Sequence, residues 1–219
     1  MGQKNKVFPV VGIVDSARAI RLAEGLGRRE VDFLEWRADG LPGIATLPKV
    51  RVPWILTVRH PLEGGAGHLS ATARREVFLR LMENASLIDI ELRSLPAMRS
   101  VRKEAAAAGV GVVGSFHDFR KTPSEAKLGE IVDRASDAGV DILKIATLTS
   151  QPGDVARLLG LFSRSTLPLA VMGMGPLGYA SRLLFAASGS ALNYGWIDRP
   201  NVHGQWSALA LKKALNARR

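Results

Sequence analysis

The chain of 219 residues contains no cysteine. This absence excludes disulfide bonds, cysteine nucleophiles and thiolate ligands for a metal ion. Aromatic residues are scarce as well, at 6% of the chain, and its lysine and arginine residues stand singly or in pairs. We therefore expect no nucleic acid partner despite a net charge of +10, because such interfaces need clustered basic residues. A small anionic molecule remains a plausible partner for a basic protein of this kind.

Long apolar runs are missing too. A helix that crosses a bilayer needs about 20 consecutive apolar residues, so we expect no membrane association. The N-terminal sequence MGQKNKVFPVVG leads directly into a strand-like run and has no signal-peptide cleavage pattern. A cytoplasmic location is the expectation that follows.

Short runs rich in β-branched residues alternate with helix-like stretches along the chain. Strands are predicted over Val7–Val14, Glu30–Trp36, Trp54–Val58, Leu87–Leu92, Val110–Phe116, Asp141–Ile145, Pro168–Met172 and Ser190–Tyr194. Helices are predicted over Ser16–Leu26, Ala71–Asn84, Met98–Ala108, Ser124–Ala138, Pro152–Ser163 and Gln205–Asn216, with a loop over Ala38–Lys49. Eight strand–helix units predict a compact α/β fold, a (β/α)8 TIM barrel forming one domain over residues 1–219. An open, doubly wound sheet is the alternative.

Catalytic side chains of such a barrel lie where its strands end. Lys144 stands there, inside the apolar run Ile142–Ala146. A buried ammonium group is costly, so this lysine is either an ion-pair partner of Asp89 or Glu91, or a reactive amine that attacks carbonyl groups.

His117 ends the preceding strand in the sequence Ser-Phe-His-Asp. An amine, an imidazole and an orienting carboxylate together suit a Schiff-base enzyme that also moves protons. The remaining histidines, at positions 60, 68 and 203, have no spacing typical of metal ligands, so we expect no metal. Three arginines, Arg37, Arg59 and Arg182, would converge on the same end of the barrel and favour an anionic or hydroxylated substrate.

The stretch Gly173-Met-Gly175-Pro-Leu-Gly178 matches the GxGxxG pattern of dinucleotide-binding folds. It lies in the seventh of eight units, however, and too little chain follows it to build a nucleotide-binding half. We expect no nicotinamide cofactor. In a barrel, the glycines would instead let an anionic group approach backbone N–H groups.

Seven segments in this order resemble the type I 3-dehydroquinate dehydratases, the Schiff-base-forming enzymes of the shikimate pathway. The segments are Glu-x-Arg-x-Asp (35–39), Thr-x-Arg-x-x-x-Glu-Gly-Gly (57–65), Asp-Ile-Glu-Leu (89–92), Ser-x-His-Asp-Phe-x-x-Thr-Pro (115–123), Lys-Ile-Ala (144–146), Met-Gly-x-x-Gly-x-x-Ser-Arg (174–182) and Gly-Gln (204–205). Each is weak alone, but together they span nearly the whole chain.

The resemblance implies a lyase that needs no cofactor and converts 3-dehydroquinate to 3-dehydroshikimate. It implies that Lys144 forms the imine, that His117 is the general acid and base, and that Glu63 orients His117. The implied substrate contacts are Glu35, Arg37 and Arg59 on ring hydroxyls, Arg182 on the carboxylate, and Gln205 on a closing loop. Members of the family often form homodimers, and the same is expected here.

Three departures from the family pattern bear on substrate binding and loop closure. Asn201-Val202-His203 replaces a Ser-Ala-Pro sequence in the closing loop, and Gly12 stands near the end of the first strand, where serine is common. The N-terminal hairpin that often plugs the barrel is also expected to be missing. Two other functions remain open: another Schiff-base barrel such as an aldolase, whose substrates usually carry phosphate, and a barrel that only binds small anions.

Overall fold

A computed structural model of the protein describes residues 8–41 and 43–217. The eight parallel strands are β1 (Val10–Val14), β2 (Phe33–Arg37), β3 (Trp54–Thr57), β4 (Leu87–Glu91), β5 (Gly111–Asp118), β6 (Ile142–Leu148), β7 (Leu169–Met174) and β8 (Asn193–Trp196). The helices are α1 (Ala17–Ala23), α2 (Ala71–Leu81), α3 (Arg99–Ala107), α4 (Glu125–Asp137), α5 (Pro152–Arg164), α6 (Gly178–Ser188) and α7 (Ala208–Asn216). The strand order β7-β6-β5-β4-β3-β2-β1-β8 is that of a nearly closed barrel, which confirms the predicted fold class. The expected absence of an N-terminal hairpin concerns residues 1–7, which lie outside the described residues.

Every predicted strand and helix is present, although most of their ends are shifted, and α6 is a further helix. No helix is described between β2 and β3, as expected for the loop over Ala38–Lys49. β5 continues past its predicted end because His117 and Asp118 pair with Ala146 and Thr147 of β6, although they interrupt the apolar pattern. α7 begins three residues later than predicted, since the Ser207 hydroxyl caps it by accepting a bond from Ala210 N (3.2 Å). In the part of the chain that is described, no helix has the length and apolar character needed to cross a membrane.

The barrel interior is apolar at one end and charged at the other. Val11, Ile55, Val113 and Ala170 belong to an inner apolar cluster, separate from the larger core between strands and helices. Next to it lies a layer from the even-numbered strands, contributed by Glu35, Asp89, Lys144 and Tyr194. Alternate strands commonly supply one interior layer in this fold. Here that layer is polar and forms the floor of a cavity.

Between β7 and β8 the barrel is closed mainly by side chains, whereas backbone ladders join the other neighbouring strands. We call this boundary the seam. The ladder of backbone hydrogen bonds runs from β7 round the barrel to β8. Between these two strands, the described residues form one backbone hydrogen bond, from Ala191 N to Leu169 O (2.7 Å) where the strands begin. Side chains supply further bonds across this seam. Val171 N donates to Ser190 Oγ (3.1 Å), while Arg182 donates from Nε to Gly173 O (3.1 Å) and from Nη1 to Tyr194 O (2.8 Å).

Candidate active site

A cavity of about 410 Å³ opens at the C-terminal ends of the strands. All eight residues singled out in the sequence line it: Glu35, Arg37, Arg59, Glu63, His117, Lys144, Arg182 and Gln205. The parallel barrel brings them together because its strands end at one rim.

Lys144 lies on β6 at the cavity floor. Its Nζ is 2.9 Å from Asp89 Oδ2 and 3.3 Å from Glu35 Oε1, and it lies 3.9 Å from the centre of the Tyr194 ring. The ion pair with Asp89 proposed from the sequence is therefore present, but Glu91 does not take part. Because the side chain also lines the cavity, the ion pair leaves its amine within reach of a ligand.

Arg59, at the end of β3, connects this amine to further buried charges. It donates to Asp89 Oδ2 (2.7 Å), Glu91 Oε1 (3.1 Å) and Ser115 Oγ (2.6 Å). Burial alone would raise the pKa of Asp89, but the charges of Arg59 and Lys144 outweigh it and lower that pKa. Asp89 is thus a carboxylate at all pH values of interest, and it fixes the position of the lysine amine.

His117 and Glu63 form a second pair above the floor. Glu63 Oε2 lies 3.0 Å from both Nδ1 and the backbone N of His117, so we infer that Nδ1 carries the proton and Nε2 is the basic nitrogen. Burial, with the charges of Arg59 and Lys144, lowers the pKa of His117 well below 6.5. Burial and the nearby Glu91 raise the pKa of Glu63 to about 7. The imidazole is therefore neutral at neutral pH and ready to accept a proton.

The loop between β3 and α2 holds Glu63 in this position. Asp39 accepts bonds from the backbone N of Arg59 (3.1 Å) and Ala66 (2.9 Å), while Arg37 binds Asp39 and donates to Gly64 O (3.0 Å). A side chain at Gly65 would place its Cβ 2.3 Å from Arg59 O, so only glycine allows this tight return of the backbone. These bonds fix where the loop lies, and the loop in turn places Glu63 against His117.

Arg182 on α6 is buried without a carboxylate partner among the described residues. Its bonds to Gly173 O and Tyr194 O use neutral carbonyl groups, and burial lowers its pKa to about 10. The guanidinium still carries a full charge at neutral pH. An unpaired buried cation at a cavity wall suits an anionic ligand that the protein does not itself supply.

The loop after β8 covers the cavity beside Arg182. Gln205 Oε1 accepts a bond from Asn201 N (2.8 Å), and the Asn201 side chain donates to Asp15 at the end of β1. Asp198 in the same loop accepts from Ser16 Oγ (2.9 Å). These bonds fasten the loop to the β1–α1 connection, and Asn201, which departs from the family pattern, supplies one of them.

The GxGxxG stretch packs against the backbone of this loop. Gly175 (φ 81°) donates its N–H to His203 O (2.8 Å), and a Cβ on Gly178 would lie 2.6 Å from Gly204 O. The glycines therefore allow two backbones to pack together. Gly12 does not face the cavity, since a Cβ there would meet Ile197 outside the barrel; Ile13 lines it instead.

Sequence reasoning missed several residues of the site. Tyr194 in β8 was indistinguishable from a core residue, and Asp15 was not singled out at all. Arg74 resembled a solvent-exposed helix residue, yet it is buried and lies 2.5 Å from Glu91 Oε2. The charges at the strand ends could have indicated such a residue. The three acids Asp89, Glu91 and Glu35 outnumber the two cations Lys144 and Arg59, so a further buried cation was to be expected.

Known proteins resemble this chain in sequence and in fold. A family model described as type I 3-dehydroquinase matches residues 8–219. The 3-dehydroquinate dehydratase of Klebsiella pneumoniae subsp. pneumoniae is 32% identical over 218 residues, covering 89% of this chain and 85% of that protein. That of Methanocella arvoryzae is also 32% identical, covering 87% and 86%. The crystal structure of 3-dehydroquinate dehydratase from Geobacillus kaustophilus superposes with a TM-score of 0.81 at 26% identity, covering 95% and 90%.

Proposed function

The chain belongs to the type I 3-dehydroquinase family, and on that premise we propose that Lys144, His117 and Glu63 carry out the dehydration of 3-dehydroquinate to 3-dehydroshikimate. The observation that carries the assignment is that a buried amine and a neutral imidazole line the same cavity. The amine is held by Asp89, and the imidazole is held by Glu63.

The reaction begins with Lys144. The ammonium of Lys144 gives up one proton and its amine attacks the substrate ketone. The carbinolamine hydroxyl then takes up that proton and leaves as water, so a cationic iminium remains on Nζ. The iminium draws electrons from the adjacent carbon and makes its C–H bond acidic. Asp89 and Glu35 lie close enough to balance the positive charge of this intermediate.

His117 then moves two protons. Nε2 removes the proton from the carbon next to the iminium, and the C–H electrons form an enamine. The enamine expels the β-hydroxyl, which leaves as water with the proton that His117 returns. Hydrolysis of the conjugated iminium releases 3-dehydroshikimate and restores Lys144, so the net change is the loss of one water molecule. Glu63 stabilises the imidazolium between the two transfers.

Four charged groups and one amide are assigned to substrate binding. Arg182 binds the substrate carboxylate, for which its unpaired charge gives support. Glu35, Arg37 and Arg59 bind ring hydroxyls; the guanidinium of Arg59 is already bonded to three side chains and contributes chiefly its charge. Gln205, on the loop after β8, closes over the ligand and excludes water from the iminium.

We also propose a homodimer in the cytoplasm. Support for a dimer comes from the family and from the exposed side chains of Tyr179, Leu184 and Leu209 on the neighbouring helices α6 and α7. Light scattering after gel filtration would measure the mass, and a monomeric mass at working concentration would contradict the dimer. The biosynthetic substrate supports a cytoplasmic location, which fractionation of the cells would test.

The test of the reaction uses purified protein and 3-dehydroquinate. We expect an enone absorbance to grow, and borohydride to trap a reduced adduct that mass spectrometry locates on Lys144. Lys144→Ala should give neither product nor adduct. His117→Ala should still give the adduct but lose turnover by about 10²–10⁴-fold, the usual contribution of a general acid and base. A wild-type protein without adduct or product would refute the proposal and favour another carbonyl substrate or a binding function.

A further inference from the structure

One buried group in the cavity wall takes no part in the proposed reaction. The hydroxyl of Tyr194 has no hydrogen-bond partner among the described residues. Trp36 Nε1 shares this condition, but Trp36 does not line the cavity. Since the great majority of buried polar side-chain atoms are hydrogen-bonded, an unpaired hydroxyl beside a reactive amine requires an explanation.

Tyr194 lies in the same layer as Lys144 and as Asp89 and Glu35, the two carboxylates that bind the lysine amine. The ring of Tyr194 is 3.9 Å from Lys144 Nζ, which is cation–π geometry. Burial, together with Glu35 and Asp89, raises the pKa of Tyr194 well above 10.0. The hydroxyl therefore keeps its proton and is a donor without an acceptor.

Imine formation changes the number of donors in this layer. The ammonium of Lys144 has three N–H groups, of which one points to Asp89 and one to Glu35. An iminium nitrogen keeps a single N–H, so one carboxylate loses its bond to lysine. Asp89 still accepts from Arg59 and from Ser115 Oγ (2.6 Å).

Glu35 has fewer hydrogen-bond donors than Asp89. Its bond from Lys144 is the longer of the two, and its remaining hydrogen bond comes from Thr57 Oγ1 (2.8 Å). Arg59 approaches Glu35 only to 3.9 Å. Of the two carboxylates, Glu35 is consequently the one that keeps fewer donors from the protein when the imine forms, even with a ring hydroxyl bound to it.

We propose that Tyr194 is a positioning residue for the covalent intermediate, whose hydroxyl donates to Glu35 once Lys144 is bound as an imine. The ring face meanwhile remains against the cationic nitrogen. This inference rests on the proposed function, because it requires an imine at Lys144. A bond that forms only in the intermediate stabilises that intermediate without strengthening the initial binding of substrate.

The test is Tyr194→Phe, which keeps the ring and removes the hydroxyl. We expect about tenfold lower kcat and an about tenfold smaller ratio of imine to free enzyme, measured by borohydride trapping, as fits one hydrogen bond to a carboxylate. Binding of the alcohol made by reducing the substrate ketone, which cannot form an imine, should be unchanged. The melting temperature should be equal or higher, because the free protein loses no hydrogen bond. Tyr179→Phe, at the other tyrosine, which does not line the cavity, is the matched control.

The outcomes separate the two proposals. Wild-type protein that forms no adduct would refute the proposed function and this inference with it. Wild-type protein that forms the adduct, alongside a Tyr194→Phe variant with the same trapped fraction and kcat, would refute the inference alone. A variant that binds the alcohol tenfold more weakly would also refute it, since the hydroxyl would then act in substrate binding.

Discussion

Burial of Glu63 should make the protein less stable at the pH values where its proposed role requires a charged carboxylate. Its pKa rises from 4.5 to about 7, mainly through burial and then through Glu91. Between these values the folded protein keeps a proton that the unfolded chain has released, so stability falls as the pH rises through this window. At about 1.4 kcal/mol for each pH unit, the loss is about 3 kcal/mol above pH 7 and absent below pH 4.5.

Glu63→Gln removes this titration while keeping the shape of the side chain. We expect the variant to gain about 3 kcal/mol relative to wild type as the pH rises from 4.5 to above 7. Burial is the main reason that the pKa of His117 lies well below 6.5, and the substitution leaves that burial unchanged, so we expect the titration of His117 largely to cancel from the difference. The same variant should lose kcat by about 10²-fold or more, because the imidazolium loses its counter-charge.

Urea unfolding followed by tryptophan fluorescence, at several pH values, measures the difference directly. Glu104→Gln, at an exposed position on α3, is the control and should follow wild type at every pH. A Glu63→Gln variant that is no more stable than wild type above pH 7 would refute the claim that burial destabilises this carboxylate.

The remaining predictions concern the pH profile, the anion site and the glycine contact. Wild-type kcat/KM should fall about tenfold per pH unit below about pH 7, as Glu63 takes up its proton, and Glu63→Gln should lack this fall. If both proteins show the same pH profile, the fall is due to a group other than Glu63. Arg182→Lys should raise KM by about 10–100-fold and lower the melting temperature, because lysine replaces a fork of donors with one ammonium; steady-state kinetics and calorimetry measure these effects. Gly178→Ala should cost about 1–3 kcal/mol in urea unfolding, since its Cβ would lie 2.6 Å from Gly204 O, whereas Gly160→Ala, with open space around it on α5, should be neutral or stabilising.

The sequence predicted the parts of the site that combine a reactive side chain with a strand end. Lys144 and His117 interrupt apolar runs, and a polar residue in such a run is informative because burial must be compensated. The barrel was predictable for a related reason, since eight strand–helix units leave few ways to bury their apolar faces. Strand ends were less predictable, because His117 and Asp118 continue the β5 ladder without continuing its apolar pattern.

Other parts of the site depend on tertiary contacts that no local pattern reports. Arg74 lies on a helix, and only the fold shows that its side chain reaches Glu91. Tyr194 is an aromatic residue in a strand, which in sequence indicates a core position and nothing more. Asp15 and Asn201 are 186 residues apart along the chain and meet only because β1 and β8 are neighbours.

The seam between β7 and β8 constrains how this enzyme can change over evolution. Arg182 is proposed to bind the substrate carboxylate, and its Nε and Nη1 also join Gly173 O to Tyr194 O across that seam. A mutation here that altered ligand preference would weaken the barrel at the same time, so selection for folding protects a binding residue. New specificities in this lineage are therefore expected to arise at cavity positions whose side chains form no hydrogen bonds across the seam, such as Val202 in the covering loop, before they arise at Arg182.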